Sequence, residues 1–209
     1  MRTHFSLSLA VLVALACPVC AQETVASPTP SVSKDEEKEI ESESPDGKFA
    51  FLTNYEGDLH TIDLIDAKSK KVVLHVAEED SEMVHYSVLW ASDSKRFALM
   101  TRYGHPIQGV DVYFRSGETF RKIKLPELPE AKIPERLKHG KSFPHVAGLN
   151  WTTAEAWKKD GSLVVSIDTM IDGGDGGSIT ATRTVVLGFD RSGKARILKS
   201  TIKFETETE

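Results

Sequence analysis

Cysteine is almost missing from this chain. The sequence holds two cysteines, Cys17 and Cys20, and both lie within residues 1–21. If that segment is a cleaved leader, the remaining chain has no thiol. This excludes disulfide bonds, cysteine-ligated metal sites and a cysteine nucleophile from the mature protein.

Long apolar runs and an excess of positive charge are also missing. After residue 21, no stretch is long and apolar enough to span a bilayer. The formal net charge is −5, whereas a nucleic-acid-binding domain is strongly basic. We therefore expect a chain that is soluble after export, with no transmembrane span and no nucleic-acid partner.

Recognisable catalytic and cofactor-binding signatures are missing as well. The sequence has no Gly-x-Ser-x-Gly elbow, no Walker loop and no His-Glu-x-x-His motif. Of the six histidines after the leader, none lies four residues from another, which is the spacing that brings two ligands onto one face of a helix. They are His60, His75, His85, His105, His139 and His145. We therefore expect no cofactor.

Residues 1–21 have the three parts of a secretory signal peptide. Residues 1–4 include Arg2, residues 5–19 are apolar without a charge, and Ala21 offers a small residue for cleavage. We expect a signal helix, cleavage after Ala21, and a periplasmic or secreted product. Lipoprotein anchoring at Cys17 is the alternative, although Pro18 follows that cysteine directly.

Residues 22–43 predict a disordered acidic tether. Seven acidic residues against two lysines, with few apolar residues, cannot bury enough surface to offset chain entropy. An acidic docking tail is the alternative. Residues 39–43 look too charged to form a strand, so we expect the first repeat to lack its innermost strand. Residues 197–204 could pair there instead.

A turn-and-strand phrase recurs three times along the rest of the chain. Asp46 lies in SPDGKFAFLT, Asp93 in WASDSKRFALMT and Asp160 in WKKDGSLVV. Each phrase joins a polar turn to an apolar strand, and Trp90 and Trp157 each stand three residues before the aspartate. We predict that the three aspartates occupy equivalent corners of one repeated β unit.

The strand pattern divides residues 44–209 into three units, at about 44–77, 82–125 and 146–204. Alternating apolar residues and Gly-containing turns predict antiparallel meanders of up to four strands. Residues 126–145 are a Pro-rich insertion, with room for a short helix at residues 134–139. Residues 121–141 carry seven basic and three acidic side chains, which indicates a solvated loop or a basic docking surface. Residues 152–155 could instead cap a helix.

The repeated phrase resembles the blade motif of TolB-type and WD40-like β-propellers, in which the aspartate lies between the first two strands of a blade. The resemblance covers residues 44–204 and implies an all-β, propeller-like fold. The interval from Asp93 to Asp160 is longer than that from Asp46 to Asp93, because it contains the insertion. Propellers close with about four to eight blades. Three units therefore predict an open or incomplete array, or a sheet whose edges pair with a second copy.

Candidate sites are few, and the glycine-rich segment around Asp168, Asp172 and Asp175 is the clearest. Three carboxylates near glycines could bind Ca²⁺ through oxygen, but the EF-hand spacing is absent and a mobile hairpin explains the glycines equally well. A polar pocket could form around Arg102, Tyr103 and His105. The tryptophans fit core positions better than a carbohydrate-binding platform; they are Trp90, Trp151 and Trp157.

Three functions follow from these observations. The first is a non-catalytic, exported module for protein–protein contact or scaffolding, with a protein partner or self-association through sheet edges. The second is a hydrolase or carbohydrate-active enzyme that uses the acidic loop residues. The third is a calcium-stabilised binding module.

Overall fold

The computed structural model describes residues 38–56, 59–80, 84–103, 107–173 and 177–207. The expected signal helix, Cys17, His105 and Asp175 lie outside these residues. The described part contains twelve strands and one short helix, α1 (Glu135–Lys138). The strands are β1 (Lys38–Glu41), β2 (Phe49–Glu56), β3 (Leu59–Asp66), β4 (Val72–Asp80), β5 (Val84–Trp90), β6 (Arg96–Tyr103), β7 (Ile107–Ser116), β8 (Thr119–Ile123), β9 (His145–Trp157), β10 (Leu163–Asp172), β11 (Ser178–Phe189) and β12 (Ala195–Glu207).

The strands form three antiparallel sheets, each a meander of four consecutive strands. The first sheet contains β1–β4, the second β5–β8 and the third β9–β12. This confirms the all-β expectation and its propeller-like layout of successive meanders. Over the described residues, none of the three sheets closes on itself. No helix in this part of the chain has the length and apolar character needed to cross a membrane.

The second sheet lies between the other two, as the burial of β6 shows. Phe97 and Leu99 pack in a cluster with the first sheet, whereas Ala98 and Met100 pack in a cluster with the third. Successive side chains of a strand point to opposite faces. Because both faces of β6 are buried, this strand is apolar without interruption from Phe97 to Met100.

Aromatic rings fill the junction between the first and second sheets. Phe51 meets Phe97 edge to face at 5.1 Å between ring centroids, and Phe97 stacks on Tyr113 at 4.7 Å. Burial, followed by the charge of Asp111, raises the pKa of Tyr113 to about 12. The junction between the second and third sheets is aliphatic, with Val112, Leu163, Val165 and Val185 all fully buried.

The first sheet corrects one expectation. Lys38–Glu41 forms β1 and pairs antiparallel with β2, with Ile40 opposite Leu52. The prediction that residues 39–43 supply no strand was therefore wrong for residues 39–41. β1 also lies within the segment that was expected to be a disordered tether. A charged strand can pair at a sheet edge because the hydrogen bonds of the ladder come from its backbone.

The C-terminal strand also differs from one expectation. β12 pairs with β11 along its own sheet, from Ala195 opposite Phe189 to Glu207 opposite Ser178. It therefore does not complete the first sheet. β11 and β12 form a hairpin around residues 190–194, within the third predicted unit. Short turns favour pairing of consecutive strands, and here that local pairing prevails.

The insertion between the second and third sheets is held against the third sheet by polar contacts. The Ala131 N–H donates to Asn150 Oδ1 at 3.0 Å, and Arg183 Nε donates to the Glu130 carbonyl at 2.8 Å. Asn150 adopts φ +51°, a left-handed conformation that asparagine tolerates. α1 ends at Lys138 and is followed by His139, which is also left-handed, so the short helix expected at residues 134–139 is confirmed. The alternative helix at residues 152–155 is wrong, since β9 runs through it.

Candidate binding surface

The three repeated aspartates occupy equivalent corners, as predicted. Each lies in the turn between the first and second strands of its sheet. The residue after each aspartate has positive φ: +67° at Gly47, +54° at Ser94 and +83° at Gly161. The shared sequence phrase therefore encodes one turn geometry, in which glycine or a small polar residue meets the left-handed requirement.

Each aspartate stabilises its own turn, because its carboxylate accepts a hydrogen bond from the backbone N–H two residues further along the chain. The donors are the N–H groups of Lys48 at 3.2 Å, Lys95 at 3.0 Å and Ser162 at 2.9 Å. The Ser162 hydroxyl also donates to Asp160, and these bonds hold the pKa of that carboxyl below its usual value. Because these hydrogen bonds favour the ionised carboxylate, the turn stabilises the charge and the charged carboxylate stabilises the turn.

The three turns are joined to one another by hydrogen bonds. The backbone N–H of Asp46 donates to Ser94 Oγ at 2.9 Å, which joins the first turn to the second. Arg96 Nη1 donates to the Gly161 carbonyl at 2.9 Å, which joins the second turn to the third. Arg96 also pairs with Asp93 at 2.6 Å, so its guanidinium is fixed from both sides.

Two tryptophans repeat a second junction between neighbouring sheets. Trp90 Nε1 donates to the Ser42 carbonyl at 3.2 Å, and Trp157 Nε1 donates to the Leu89 carbonyl at 3.0 Å. Both acceptors stand four residues before the aspartate of the preceding repeat. Trp90 packs on Phe97 and Trp157 on Phe189, so these indoles serve as junction aromatics. This arrangement agrees with the core interpretation of the two residues.

The packed junctions bring two basic segments together at the end of the second sheet. β8 carries Arg121, and its guanidinium Nη2 donates to the Ser192 carbonyl in the turn between β11 and β12. Gly193 allows this approach, because a Cβ there would lie 2.7 Å from Arg121 Nη2. Its φ of +83° is the left-handed conformation that favours glycine.

A cleft of about 460 Å³ opens beside this contact. Its charged lining consists of Arg121, Lys124 and Lys194, and its apolar wall of Ile123, Leu125, Pro126 and Ala195. We call this feature the basic cleft. None of its three cations forms an ion pair with a carboxylate in the described part of the chain.

The other grooves over the described residues differ in charge. The groove of about 560 Å³ between the first two sheets is lined by Lys48, Lys71 and Arg115, but also by Asp66 and Glu118. The two grooves along the insertion each include Glu130. Among these four grooves, only the basic cleft has cations without a lining carboxylate.

The carboxylate in the turn that borders the basic cleft, that of Asp190, is engaged within this turn. Glu127 directly follows Pro126 of the apolar wall, but it is exposed and does not line the cleft. Asp190 Oδ1 accepts hydrogen bonds from Ser192 Oγ at 2.6 Å and from the Lys194 N–H at 2.9 Å. The Ser192 bond and then the Lys194 bond hold the pKa of Asp190 below its usual value. Asp190 therefore fixes the turn that presents Lys194 and Ser192.

The structure separates two of the predicted acidic site residues. Asp168 and Asp172 lie on the same face of β10, four residues apart, which is about 13 Å along a strand. That distance is too long for both carboxylates to ligate one ion directly. Asp168 accepts a hydrogen bond from Thr182 Oγ1 at 2.6 Å. Asp175, the third candidate, lies outside the described residues.

Other candidate residues are distributed across the sheets. Arg102 lies over the Trp151 ring, with its Cζ 5.6 Å from the ring centroid. These two residues were candidates for different sites, and the structure makes them neighbours. The side chain of Tyr103 falls outside the description. His75 Nδ1 lies 2.7 Å from Asp63 Oδ1. No group of three metal-type ligands forms among the described side chains.

Comparison of the chain with models of known families, with curated proteins and with solved structures gave no match. The proposed function therefore rests on the sequence and the geometry of the chain itself.

Two of the three cations of the basic cleft, Arg121 and Lys124, lie in a segment with an excess of basic residues. The charge balance of that segment, residues 121–141, indicated a solvated loop or a basic docking surface. The segment did not include Lys194, which lies in the distant turn between β11 and β12. The only sequence signal for Lys194 was the turn at Asp190. This turn resembles the three aspartate corners, but it follows the third strand of its sheet.

Proposed function

We propose that this protein is an exported, non-catalytic binding module that docks an acidic segment of a protein partner in the basic cleft. The observation that carries the proposal is the convergence of Arg121, Lys124 and Lys194 around one open groove. The blade-like sheets act as the scaffold that holds β8 and the β11–β12 turn together.

The chemistry of the basic cleft supports a peptide partner. Its cations attract carboxylates, and Arg121 retains guanidinium N–H groups beyond the one that binds Ser192. The wall of Ile123, Leu125 and Pro126 offers apolar surface to side chains beside those carboxylates. Because the whole chain has a net charge of −5, this local positive field departs from the average of the molecule.

Export and family likeness rest on the sequence. The pattern of residues 1–21 supports secretion or release to the periplasm, with a lipid anchor at Cys17 as the alternative. The three aspartate corners support a relationship to TolB-type and WD40-like propellers. Such folds host many functions, so the likeness supports a scaffold without specifying its ligand.

The two other functions lack a comparable observation. A hydrolase built on the acidic loop and a calcium-stabilised module both need Asp168 and Asp172 to act together. Their spacing along β10 gives no support to a shared catalytic or metal site.

The test uses an acidic probe and a pair of charge reversals. Fluorescein-labelled poly-L-glutamate is titrated with the mature protein at about 20 mM and about 300 mM salt, and anisotropy is recorded. The variant Lys124→Glu/Lys194→Glu should weaken binding by about tenfold or more at low salt, because two attractive charges become repulsive. High salt should weaken binding by the wild type.

The matched control is Lys95→Glu/Lys159→Glu, which changes the net charge equally at two exposed turn residues outside the basic cleft. Its affinity should stay within about twofold of the wild type. Equal loss in both variants would mean that net charge, and not the basic cleft, governs binding. That result would reject the proposed docking site.

A further inference from the structure

The edge strands of the three sheets differ in how well they are protected from pairing with another chain. β1 has 4 residues, β8 has 5 and β5 has 7. β4 and β9 are longer, but each pairs with its neighbour through irregular registers. Short or bulged edges are the usual means by which proteins prevent intermolecular pairing.

β12 lacks this protection. It has 13 residues without proline or glycine, and its pairing with β11 shifts only once, between Val186 and Leu187. Residues 199–207 therefore form a regular edge of nine residues. The preceding Leu198 is 50% exposed and Ile197 is 37% exposed, which adds apolar surface at this edge.

The two faces of β12 have different chemistry. Lys199, Lys203 and Glu205 lie opposite Val186, Thr182 and Thr180, so they share the outer face of the third sheet. Ile202 and Phe204 share the other face and pack against the core between the second and third sheets. The strand thus alternates a charged face with a partly buried apolar face.

Symmetry restricts how two copies of β12 can pair. In an antiparallel pair related by a twofold axis perpendicular to the sheet, opposing residues share a face. One residue must therefore face its own copy at the axis. With Ile202 at the axis, Lys199 of each copy lies opposite Glu205 of the other. Two opposite-charge pairs form on the outer face, and Ile202 meets Ile202 on the apolar face.

The neighbouring registers are less favourable. With Thr201 at the axis, Lys199 faces Lys203 twice. With Lys203 at the axis, this lysine faces its own copy at the centre of the pair, which offsets the two pairs that Lys199 then forms with Glu207. Like charges directly opposite each other destabilise a sheet. With Phe204 at the axis, Lys203 faces Glu205, but Lys199 has no described residue opposite it.

We propose that β12 mediates homodimerisation by antiparallel pairing with a second copy of this chain, with Ile202 at the twofold axis. The two third sheets then form one continuous sheet of eight strands. Lysine on an edge usually opposes pairing. Here Glu205 gives Lys199 a partner of opposite charge, so the charge pattern favours this register over those centred on Thr201 and Lys203. The inference does not depend on the ligand of the basic cleft.

The test is a charge-swap series on the mature protein, followed by sedimentation velocity from about 1 to about 200 µM at low salt. The wild type should show a concentration-dependent dimer. Lys199→Glu and Glu205→Lys should each raise the dimer dissociation constant by about tenfold, because each creates two repulsive pairs per dimer. The double variant Lys199→Glu/Glu205→Lys should restore the wild-type value.

Two further variants make the outcome specific. Lys203→Glu should weaken the dimer less than Lys199→Glu; a larger effect, rescued by Glu205→Lys, would overturn the Ile202 register in favour of the Phe204 register. The basic-cleft variant Lys124→Glu/Lys194→Glu should dimerise normally, which separates the two proposals. A wild type that stays monomeric at the highest concentration, or single variants with unchanged dissociation constants, would overturn the proposal. Circular dichroism confirms that each variant is folded.

Discussion

Replacement of Gly161 by alanine tests whether the row of aspartate corners holds the sheets together. Gly161 has φ +83°, and a Cβ there would clash with Arg96 Nη1. Gly47 occupies the equivalent position of the first repeat with φ +67°, but its Cβ would meet nothing within 4 Å. The two substitutions share backbone strain and differ in their effect on Arg96.

The expected magnitudes follow from these contacts. A left-handed alanine costs about 1–2 kcal/mol, which applies to both Gly47→Ala and Gly161→Ala. Gly161→Ala also displaces the Arg96 guanidinium from the Gly161 carbonyl at 2.9 Å and from its position over Trp157. Loss of a charge-assisted hydrogen bond costs about 1.5–3 kcal/mol in mutational series. The lower end of this energy range applies here, because Arg96 is partly exposed and solvent weakens its hydrogen bond. Gly161→Ala should therefore destabilise the protein by about 3 kcal/mol.

Urea denaturation followed by tryptophan fluorescence measures the difference. The free energy of unfolding should fall about 1.5 kcal/mol further in Gly161→Ala than in Gly47→Ala. In an Arg96→Ala background the two glycine substitutions should cost the same, because the shortened side chain leaves room for the new Cβ. Equal costs in the wild-type background would refute the idea that Arg96 couples the second and third turns.

Two further predictions concern the junctions and the turns. Trp157→Phe should lower the free energy of unfolding by about 1–2 kcal/mol, since it removes the indole bond to the Leu89 carbonyl and retains most of the ring packing; urea titration measures this, and an unchanged midpoint would contradict it. The pKa values of Asp160 and Asp190 are lowered by hydrogen bonds in their turns, so the stability they contribute is present above their unfolded pKa and is lost as pH falls through the folded value. The melting temperature should therefore be level from about pH 7 to 5 and fall below about pH 4, and Asp160→Asn should make that fall shallower; a fall that is equally steep would show that Asp160 takes no part.

The fold was predictable where local sequence and tertiary packing agree. The turn at Asp93 required a small residue with positive φ and a carboxylate facing a following N–H, and both requirements are visible in the phrase that contains Ser94. The apolar run of β6 likewise predicted a strand. β1 was missed because its charged residues resemble a tether, and pairing with β2 is a property of the neighbouring strand.

The candidate sites were less predictable for a physical reason. Asp168 and Asp172 are close in sequence, yet an extended strand separates them by about 13 Å. Arg121 and Ser192 are 71 residues apart and form a hydrogen bond, because the second and third sheets pack against each other. Spacing along a chain indicates a site only when the local geometry is known.

The sequence alone determined the repeated unit of this protein, because turn chemistry and strand periodicity act over a few residues. The positions of Asp46, Asp93 and Asp160 followed from that local pattern. Only the tertiary structure decided which strands lie at edges, which cations share a cleft and which indoles cross between sheets. These features depend on packing between sheets, which brings together residues whose distance along the chain carries no information about their contact.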